Sequence, residues 1–317
     1  PPVLKLTVNK VEALSPSISL FELRDPEGAD LPAFTAGAHL EVVVAPEFLR
    51  QYSLCSNPAD RTRYQIAVQR EEDGRGGSRL MHRIFAEGRT VFVRPPENHF
   101  PLEDGGGKSL LMGGGIGVTP MVAMAHELHK TGRGFSLHYS VGKREDAAFL
   151  TAIEDEPWTN QAHFHVSEEG SRADLEAVIG AYSEGDHLYT CGPDRYMNAV
   201  LEAASGNGWP EEALHKEFFA PPEVPEYENH PFTIVAAKSG KTIKVNEDES
   251  AADALIASGI HVDLKCSDGI CGICKCGLVE GEVEHRDFVL SATQREHEIV
   301  TCQSRAKDKN GTITLDI

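Results

Sequence analysis

The stretch "CSDGICGIC", residues 266–274, places three cysteines within nine residues of a 317-residue chain. Cys266, Cys271 and Cys274 have the spacing C-x4-C-x2-C, and Cys302 follows in the separate segment "IVTCQSR". This is the plant-type [2Fe–2S] arrangement, in which one tight loop supplies three thiolates and a distant residue supplies the fourth. The spacing therefore predicts these four cysteines as the ligands of an iron–sulfur cluster.

Two other uses of the cysteines fit this spacing less well. Zinc favours two separated C-x2-C pairs, and the stretch contains only one. A redox-active dithiol pair would leave Cys266 and Cys302 without a role. Gly269 and Gly272 give the loop the backbone freedom to wrap a small cluster, and inward-facing N–H groups would then donate to sulfur.

Composition limits the class of protein. Hydrophobic residues make up 40% and charged residues 25% of the chain, as in ordinary soluble proteins. The net charge of −19 disfavours nucleic acid and anionic membrane as partners, because binding to phosphate requires clustered Lys and Arg. No apolar run approaches the roughly 20 residues of a membrane span. The start, "PPVLKLTVNKVEAL", does not resemble a signal peptide, and the seven cysteines, four of them clustered, indicate a reducing, cytoplasmic compartment.

Hydrophobic patterning divides the chain into three predicted domains. Residues 1–103 contain short alternating runs rich in Val, Ile, Thr and Phe, separated by turns, which predict an antiparallel β-barrel. Residues 104–223 alternate strands with helices, among them the predicted helices "DAAFLTAIEDE" and "ADLEAVIGAY", which predicts an α/β, doubly wound parallel sheet. Residues 229–317 predict an α+β domain around the cysteine loop. The proline-rich segment 220–231, "APPEVPEYENHP", is a predicted linker.

Two loops of the α/β segment suit a dinucleotide. "LLMGGGIGVTP", residues 110–120, predicts a strand, a glycine turn and a helix start, with Thr119 as its cap and Pro120 in the first turn. "YTCGP", residues 189–193, is a second loop at a strand end. Two such loops at the carboxyl ends of parallel strands flank the crevice where dinucleotides bind. Plain packing turns are the alternative.

Two short motifs lie in the barrel segment. "RQYSL", residues 50–54, places a Tyr-Ser pair after an arginine, and "RGGS", residues 75–78, precedes the predicted helix "SRLMHRIF". Together they could hold a flat ring beside an anion, because a helix start with bare glycine amides suits a phosphate. A purely structural role for the Tyr-Ser pair is the other interpretation.

These motifs, in this order, resemble the ferredoxin–NADP reductase superfamily with a ferredoxin domain fused at the C-terminus. The nearest resemblance is to the phthalate dioxygenase reductase group, which includes vanillate demethylase and carnitine monooxygenase reductases. The resemblance covers essentially the whole chain. It implies a barrel domain that binds FMN, an α/β domain that binds NADH, and a β-grasp ferredoxin domain that carries the [2Fe–2S] cluster.

The resemblance also implies roles for individual residues. Around the flavin ring it implies Arg50, Tyr52, Ser53 and Phe219. For the flavin phosphate it implies Arg75, Gly76, Gly77 and Ser78. Along the nicotinamide and pyrophosphate path it implies Gly114, Gly115, Thr119 and Cys191. Of these, Ser53, Thr119 and Cys191 are the expected catalytic residues, with the Ser53 hydroxyl near the reactive ring nitrogen.

The choice between NADH and NADPH depends on the segment "HVSEEG", residues 165–170. A carboxylate there, Glu168 or Glu169, can accept hydrogen bonds from a ribose and repels a 2′-phosphate. No basic pair adjoins it in sequence, although Lys143 and Arg144 follow the preceding strand. NADH is therefore the expected coenzyme, with NADPH as the alternative.

The expected function is that of the reductase component of a two-component Rieske-type oxygenase, an NADH-dependent enzyme that acts as a monomer and passes single electrons to a terminal oxygenase. An NADH-dependent reductase of a soluble ferredoxin or cytochrome would use the same motifs. A non-enzymatic metal-binding interaction protein is the alternative of another class.

Overall fold

A computed structural model describes residues 3–46, 48–222 and 227–317. The chain divides into two compact units, Pro1–Glu217 and Phe218–Ile317. The predicted linker segment 220–231 includes residues 223–226, which lie outside the described residues. Its described residues adopt neither helix nor strand.

The first part of unit 1 is a barrel. Its elements are β1 (Leu4–Ala13), β2 (Ile18–Arg24), β3 (Ala38–Ala45), β4 (Phe48–Ser53), β5 (Tyr64–Gln69), α1 (Gly77–Ile84), β6 (Thr90–Val93) and β7 (Glu97–Asn98). The strands pair antiparallel in the order β4-β3-β6-β1-β2-β5, and β7 pairs with β3. A bridge between Leu54 and Ile66 joins the end of β4 to β5 and closes the sheet on itself.

The barrel closes around its alternating apolar residues. Leu6, Phe21, Leu40 and Ile66 are fully buried, each from a different strand. Met81 of α1 lies in the same core, so the helix packs against the barrel. Inward-facing side chains at every second position are what a closed antiparallel sheet requires, and the predicted barrel is confirmed.

The second part of unit 1 is a five-stranded sheet with helices. Its elements are β8 (Ser109–Gly114), α2 (Val118–Thr131), β9 (Phe135–Val141), α3 (Leu150–Glu154), β10 (Ala162–Val166), α4 (Leu175–Ile179), β11 (His187–Cys191), α5 (Asp194–Gly206) and β12 (Leu214–Glu217). All neighbouring strands are parallel, in the order β10-β9-β8-β11-β12. The chain moves outward from β8 to β10 and then returns to β11, so the strand order reverses between β8 and β11.

Adjacent residues of β8 face opposite helices. Leu111 packs with α2 on one face of the sheet, whereas Leu110 and Met112 pack with Val200 and Ala204 of α5 on the other. This is the doubly wound arrangement that the alternating pattern predicts. The helices predicted in "DAAFLTAIEDE" and "ADLEAVIGAY" are shorter than expected, since α3 and α4 have five residues each and Gly180 ends α4 with φ 61°.

Unit 2 contains β13 (Phe232–Ala236), β14 (Lys241–Val245), α6 (Ala251–Ala257), β15 (Lys275–Glu280), β16 (Val283–Glu284), α7 (Ala292–Arg295), β17 (Glu298–Val300), β18 (Arg305–Ala306) and β19 (Thr312–Leu315). The main sheet has the order β14-β13-β19-β15-β17, with β13 and β19 parallel and the other pairs antiparallel. Ser250 and Asp253 form a reciprocal capping box at the start of α6, and Leu255 of this helix packs on Ile234 and Ile313 of the sheet. This is the predicted α+β architecture.

The described residues contain no helix with the length and apolar character of a membrane span.

Three histidines lie together on the five-stranded parallel sheet of unit 1, and they make the free energy of unfolding of unit 1 depend on pH. His138 Nδ1 lies 3.0 Å from His165 Nε2, and the His138 ring stacks on that of His163 with centroids 4.6 Å apart. Burial, helped by the two neighbouring histidines, lowers the pKa of His138 from 6.5 to about 3. The unfolded chain therefore binds a proton below pH 6.5 that the folded chain resists.

We expect the free energy of unfolding to fall by about 2 kcal/mol, through His138 alone, between about pH 6.5 and pH 5. Urea unfolding at several pH values in this range would measure it. His138→Gln should flatten this pH dependence, whereas the control His261→Gln, at an exposed side chain, should leave it unchanged. An equal slope in the wild type and in His138→Gln would contradict the prediction.

Candidate functional site

The predicted flavin residues gather where β4 meets the start of α1. Arg50, Tyr52 and Ser53 all lie on β4, and the side chain of Arg50 covers the backbone of Gly77: a Cβ added to Gly77 would lie 2.7 Å from Arg50 Nε. Burial raises the pKa of Tyr52 to about 12, so its phenol is neutral. The motifs at 50–54 and 75–78, separated in sequence, thus form one surface.

The loop before α1 has the features of a phosphate site. Gly76 has φ 90° in the left-handed region, which places bare backbone at the start of an eight-residue helix. The guanidinium of Arg79 lies near this glycine, 3.8 Å from where a Cβ would be. The hydroxyl of Ser78 accepts a hydrogen bond from the Glu71 N–H at 3.1 Å. Bare amides together with arginine side chains fit an anionic group such as the FMN phosphate.

The glycine-rich loops after β8 and β11 interlock through their backbones. A Cβ on Gly117 would overlap the carbonyl oxygen of Cys191, and a Cβ on Gly192 would lie 2.8 Å from the carbonyl oxygen of Gly114. A Cβ on Gly114 would lie 2.7 Å from the ring of Tyr196. Gly117 and Gly192 therefore require glycine because the two strand ends approach so closely, and Gly114 requires it because of the Tyr196 ring. The loops flank the point where the strand order reverses, as the dinucleotide prediction requires.

Thr119 does not cap α2 as predicted. Gly117 is the residue that precedes α2, and no side chain caps this helix. Thr119 is the second helical residue, is buried, and donates its hydroxyl to the Ile116 carbonyl at 3.0 Å. The capping prediction was wrong because the 3-10 turn Gly115–Gly117 leads directly into the helix, which begins at Val118, two residues earlier than a Thr119 cap would allow.

A carboxylate that the sequence analysis did not identify lies beside Ser53. Glu217 ends β12, in register with Cys191 at the end of β11, and Ser53 Oγ donates to Glu217 Oε2 at 3.2 Å. Burial raises the pKa of Glu217 to about 8, so the carboxyl group is mostly protonated at neutral pH. The only local signal was an acidic residue at the end of a short strand in "LHKEFF".

Cys191 is a neutral thiol in this site. It is fully buried, and burial, together with neighbouring Glu217, raises the pKa of its thiol well above the ordinary range. It therefore presents a small apolar group and not a nucleophilic thiolate. Phe219 belongs to unit 2 and is exposed; its predicted contact with the flavin stays a prediction.

The four predicted cluster ligands lie together in unit 2. All four are free cysteines; Cys274 and Cys302 are buried, and Cys266 and Cys271 are half-buried. The Cys266 thiol is within hydrogen-bonding reach of Cys271 and Cys302, which lower its pKa. A hydrogen bond with the Cys302 thiol is the main reason that the pKa of Cys274 is lowered to about 6.

The loop itself also suits an iron–sulfur cluster. The Asp268 N–H donates to Cys266 Sγ at 3.4 Å, and Gln303 fastens the loop by donating to the Ser267 carbonyl at 2.7 Å. Gly269 and Gly272 have φ of 74° and 70°, the backbone freedom that the spacing predicts. Four converging sulfurs with backbone N–H groups aimed at them fit a [2Fe–2S] cluster.

The fold and these sites define an oxidoreductase whose barrel, nucleotide domain and [2Fe–2S] domain form an electron-transfer chain. Residues 234–307 match the family model described as "2Fe-2S iron-sulfur cluster binding domain". The vanillate O-demethylase oxidoreductase of Acinetobacter baylyi is 36% identical over 317 residues, 98% of this chain and 99% of that protein. The phthalate dioxygenase reductase of Burkholderia cepacia is 36% identical, over 99% of this chain and 97% of that protein.

Solved structures agree. A phthalate dioxygenase reductase, described as modular for electron transfer from pyridine nucleotides to [2Fe–2S], superposes with a TM-score of 0.70 and 36% identity, over 99% of this chain and 98% of that chain. An intact type IV self-sufficient cytochrome P450 monooxygenase has a TM-score of 0.84 and 36% identity, and this chain spans 41% of its length. The chain belongs to the phthalate dioxygenase reductase group of the ferredoxin–NADP reductase superfamily.

Family membership confirms the predicted fold class, the oxidoreductase class and the cofactor types: a flavin, a pyridine nucleotide and a [2Fe–2S] cluster. It decides against a non-enzymatic metal-binding protein. The roles of individual residues and the domain boundaries 1–103, 104–223 and 229–317 stay predictions.

Gly117→Ala should destabilise unit 1 by roughly 1–3 kcal/mol, because the added methyl group overlaps a backbone carbonyl that cannot move without shifting β11. Gly206→Ala is a matched control, since a Cβ there meets nothing within 4 Å at the end of α5. Urea unfolding of both variants would measure the difference. Equal stabilities would show that the β8 and β11 loops are not in the close contact described.

Proposed function

We propose that the protein is the reductase component of a two-component Rieske-type oxygenase, taking hydride from NADH onto FMN and sending electrons singly through a [2Fe–2S] cluster to the oxygenase. The observation that carries this proposal is the presence, in one chain, of the four-cysteine loop and of the neutral group formed by Ser53, Glu217 and Cys191. The names of the relatives support an oxygenase as the electron acceptor. We further infer a cytoplasmic location, supported by the number of unpaired cysteines; the monomeric state stays a prediction.

A bound flavin supplies the conversion from two-electron to one-electron transfer. The protein supplies position and a suitable environment. Arg50 and the backbone of Gly76 and Gly77 hold the phosphate end, and the neutral phenol of Tyr52 borders the ring. Gly114 and Thr119 line the approach of the nicotinamide, where bare backbone allows close contact.

Ser53 and Glu217 provide a path for protons at the ring edge. Ser53 Oγ, predicted to lie near the reactive ring nitrogen, is hydrogen-bonded to Glu217 Oε2. Because the pKa of Glu217 is raised to about 8, its carboxyl group can hold or release a proton near neutral pH. Neutral Cys191 next to it adds no charge to repel an incoming hydride donor. With the flavin bound as predicted, the pair would connect the ring nitrogen to a group that can exchange a proton near neutral pH.

Ser53→Ala should slow NADH-dependent flavin reduction about tenfold, because the ring nitrogen that accepts the hydride would lose a hydrogen bond worth about 1.5 kcal/mol, while the cluster stays intact. Anaerobic stopped-flow absorbance would follow the flavin band. Glu217→Gln should instead slow reoxidation of the flavin, since the amide cannot exchange the proton that leaves the ring as its electrons leave. Ser109→Ala, at the far end of β8, is the control. Reduction of Ser53→Ala at the wild-type rate would exclude Ser53 from the ring nitrogen.

Cys274→Ser should lose most of the cluster yet keep NADH-dependent flavin reduction. Iron and acid-labile sulfide analysis would measure the first effect, and flavin bleaching the second. Cys276→Ser is the matched control, because Cys276 lies two residues further on in β15 and packs with the hydrophobic core of unit 2. A cluster retained in Cys274→Ser would contradict the role of Cys274 as a ligand. Loss of flavin reduction together with the cluster would indicate that Cys274 is needed for folding.

A cytochrome is the second candidate acceptor. The likeness to a self-sufficient cytochrome P450 monooxygenase favours it, because there a similar reductase is fused to a haem protein. Titration of the reduced protein with an oxygenase and with a soluble P450, each at several salt concentrations, separates the two. Tight, salt-sensitive coupling to the oxygenase supports the main proposal; such coupling to the P450 alone supports the alternative.

A further inference from the structure

The loops that follow β9 and β10 are joined into one surface. Val141 and Val166, the last residues of these parallel strands, are in register. The Glu168 N–H donates to the Gly142 carbonyl at 3.0 Å, and the Arg144 N–H donates to Glu168 Oε1 at 2.8 Å. This surface lies at the same edge of the sheet as the glycine-rich loop after β8, because all three are carboxyl ends of parallel strands.

Arg144, in the loop after β9, is held by a carboxylate. Its Nη2 lies 2.7 Å from Glu169 Oε2, and its Nε donates to the other oxygen of the same carboxylate. The neighbouring Lys143 Nζ lies 3.4 Å from Glu145 Oε1. Both basic residues after β9 are thus paired with acids, and the Arg144–Glu169 pair is bidentate, the stronger of the two geometries.

The stability of the fold gives little reason for this pair. The side chains of Arg144 and Glu169 are 53% and 38% exposed, and exposed ion pairs contribute little to folding. Two bonds to one carboxylate nevertheless fix the direction of the guanidinium. The pair therefore determines what the surface offers to a ligand more than it stabilises the chain.

The position suits the adenosine end of a dinucleotide. When the pyrophosphate lies at the glycine-rich loop, the ribose extends over the ends of the adjoining strands. A carboxylate there favours a free 2′-hydroxyl, and an arginine accommodates a 2′-phosphate. The surface contains both kinds of group, and the bidentate bond commits the arginine to the carboxylate. A 2′-phosphate would have to break that bond and then lie against two carboxylates.

We propose that Glu169 sets the selectivity for NADH over NADPH by holding the guanidinium of Arg144, which is otherwise a ligand for a 2′-phosphate. This inference rests on the proposed function, in that the coenzyme binds in the α/β part of unit 1. Glu169 acts through Arg144 and is a specificity-determining residue. The Glu168 carboxylate keeps the loop of Arg144 in place by accepting the hydrogen bond from the Arg144 N–H.

The test compares coenzymes in the full-length holoprotein. For Glu169→Gln we expect kcat/KM with NADPH to rise about tenfold, the effect of one charge-assisted pair becoming free, while that with NADH changes by less than about threefold. Glu169→Gln/Arg144→Gln should lose the gain. The control Glu145→Gln, which removes an equal charge from the neighbouring loop that carries Arg144, should leave the ratio of the two coenzymes unchanged.

A binding measurement separates this inference from the proposed function. Calorimetric titration with 2′-AMP needs no electron transfer, and Glu169→Gln should bind it about tenfold more tightly than the wild type does. An unchanged coenzyme ratio and unchanged 2′-AMP affinity in Glu169→Gln would overturn the proposal. A gain that survives the loss of Arg144 would overturn the role of Arg144. Failure of NADH to reduce the wild-type flavin would instead contradict the proposed function, whatever the 2′-AMP result.

Discussion

The backbone contact between the ends of β8 and β11 is the constraint on which the site of unit 1 depends. Gly117 lies against the carbonyl of Cys191, and Gly192 lies against Gly114, with no room for a Cβ at any of the three glycines. This contact places the two loops on either side of the point where the strand order reverses. It also fixes the end of β11, and through the parallel register it fixes Glu217 at the end of β12. A side chain at these positions would separate the strand ends and the groups they carry.

The buried residues at the proposed site of hydride transfer are electrically neutral. Burial raises the pKa of Glu217 and of Cys191, so an acidic chain with a net charge of −19 presents neutral groups at this point. A fixed negative charge beside a hydride acceptor would oppose its reduction, because like charges interact strongly where water is excluded. The hydrogen bond from Ser53 partly offsets the effect of burial on the pKa of the Glu217 carboxyl group.

Charge is used differently at the outer end of the same sheet edge. There the groups are exposed and ionised, and Arg144 is committed to Glu169 through two hydrogen bonds. A binding surface can thus contain an arginine and still disfavour a phosphate, because the ligand must displace an existing partner. Specificity of this kind depends on the difference between two affinities and not on the presence of a single favourable group.

Local sequence patterns were enough to predict the regular elements and the cluster. Alternating residues predicted the barrel, the repeating strands and helices predicted the parallel sheet, and the spacing of Cys266, Cys271, Cys274 and Cys302 predicted a convergence that the structure contains. These features depend on local periodicity or on short spacings. The predicted helices over α3 and α4 were too long, since their apolar residues satisfy helical spacing but Gly180 ends the second of them after five residues.

Which distant groups come into contact depends on the assembled fold and cannot be read from local sequence patterns. Ser53 and Glu217 are 164 positions apart, and Arg144 and Glu169 come together across two loops 25 positions apart. Periodicity describes which face of an element a residue occupies, but strand order and register decide what lies opposite it. The pKa of Glu217 and the pairing of Arg144 follow from those long-range contacts, because burial and charge partners exist only after the sheet has assembled.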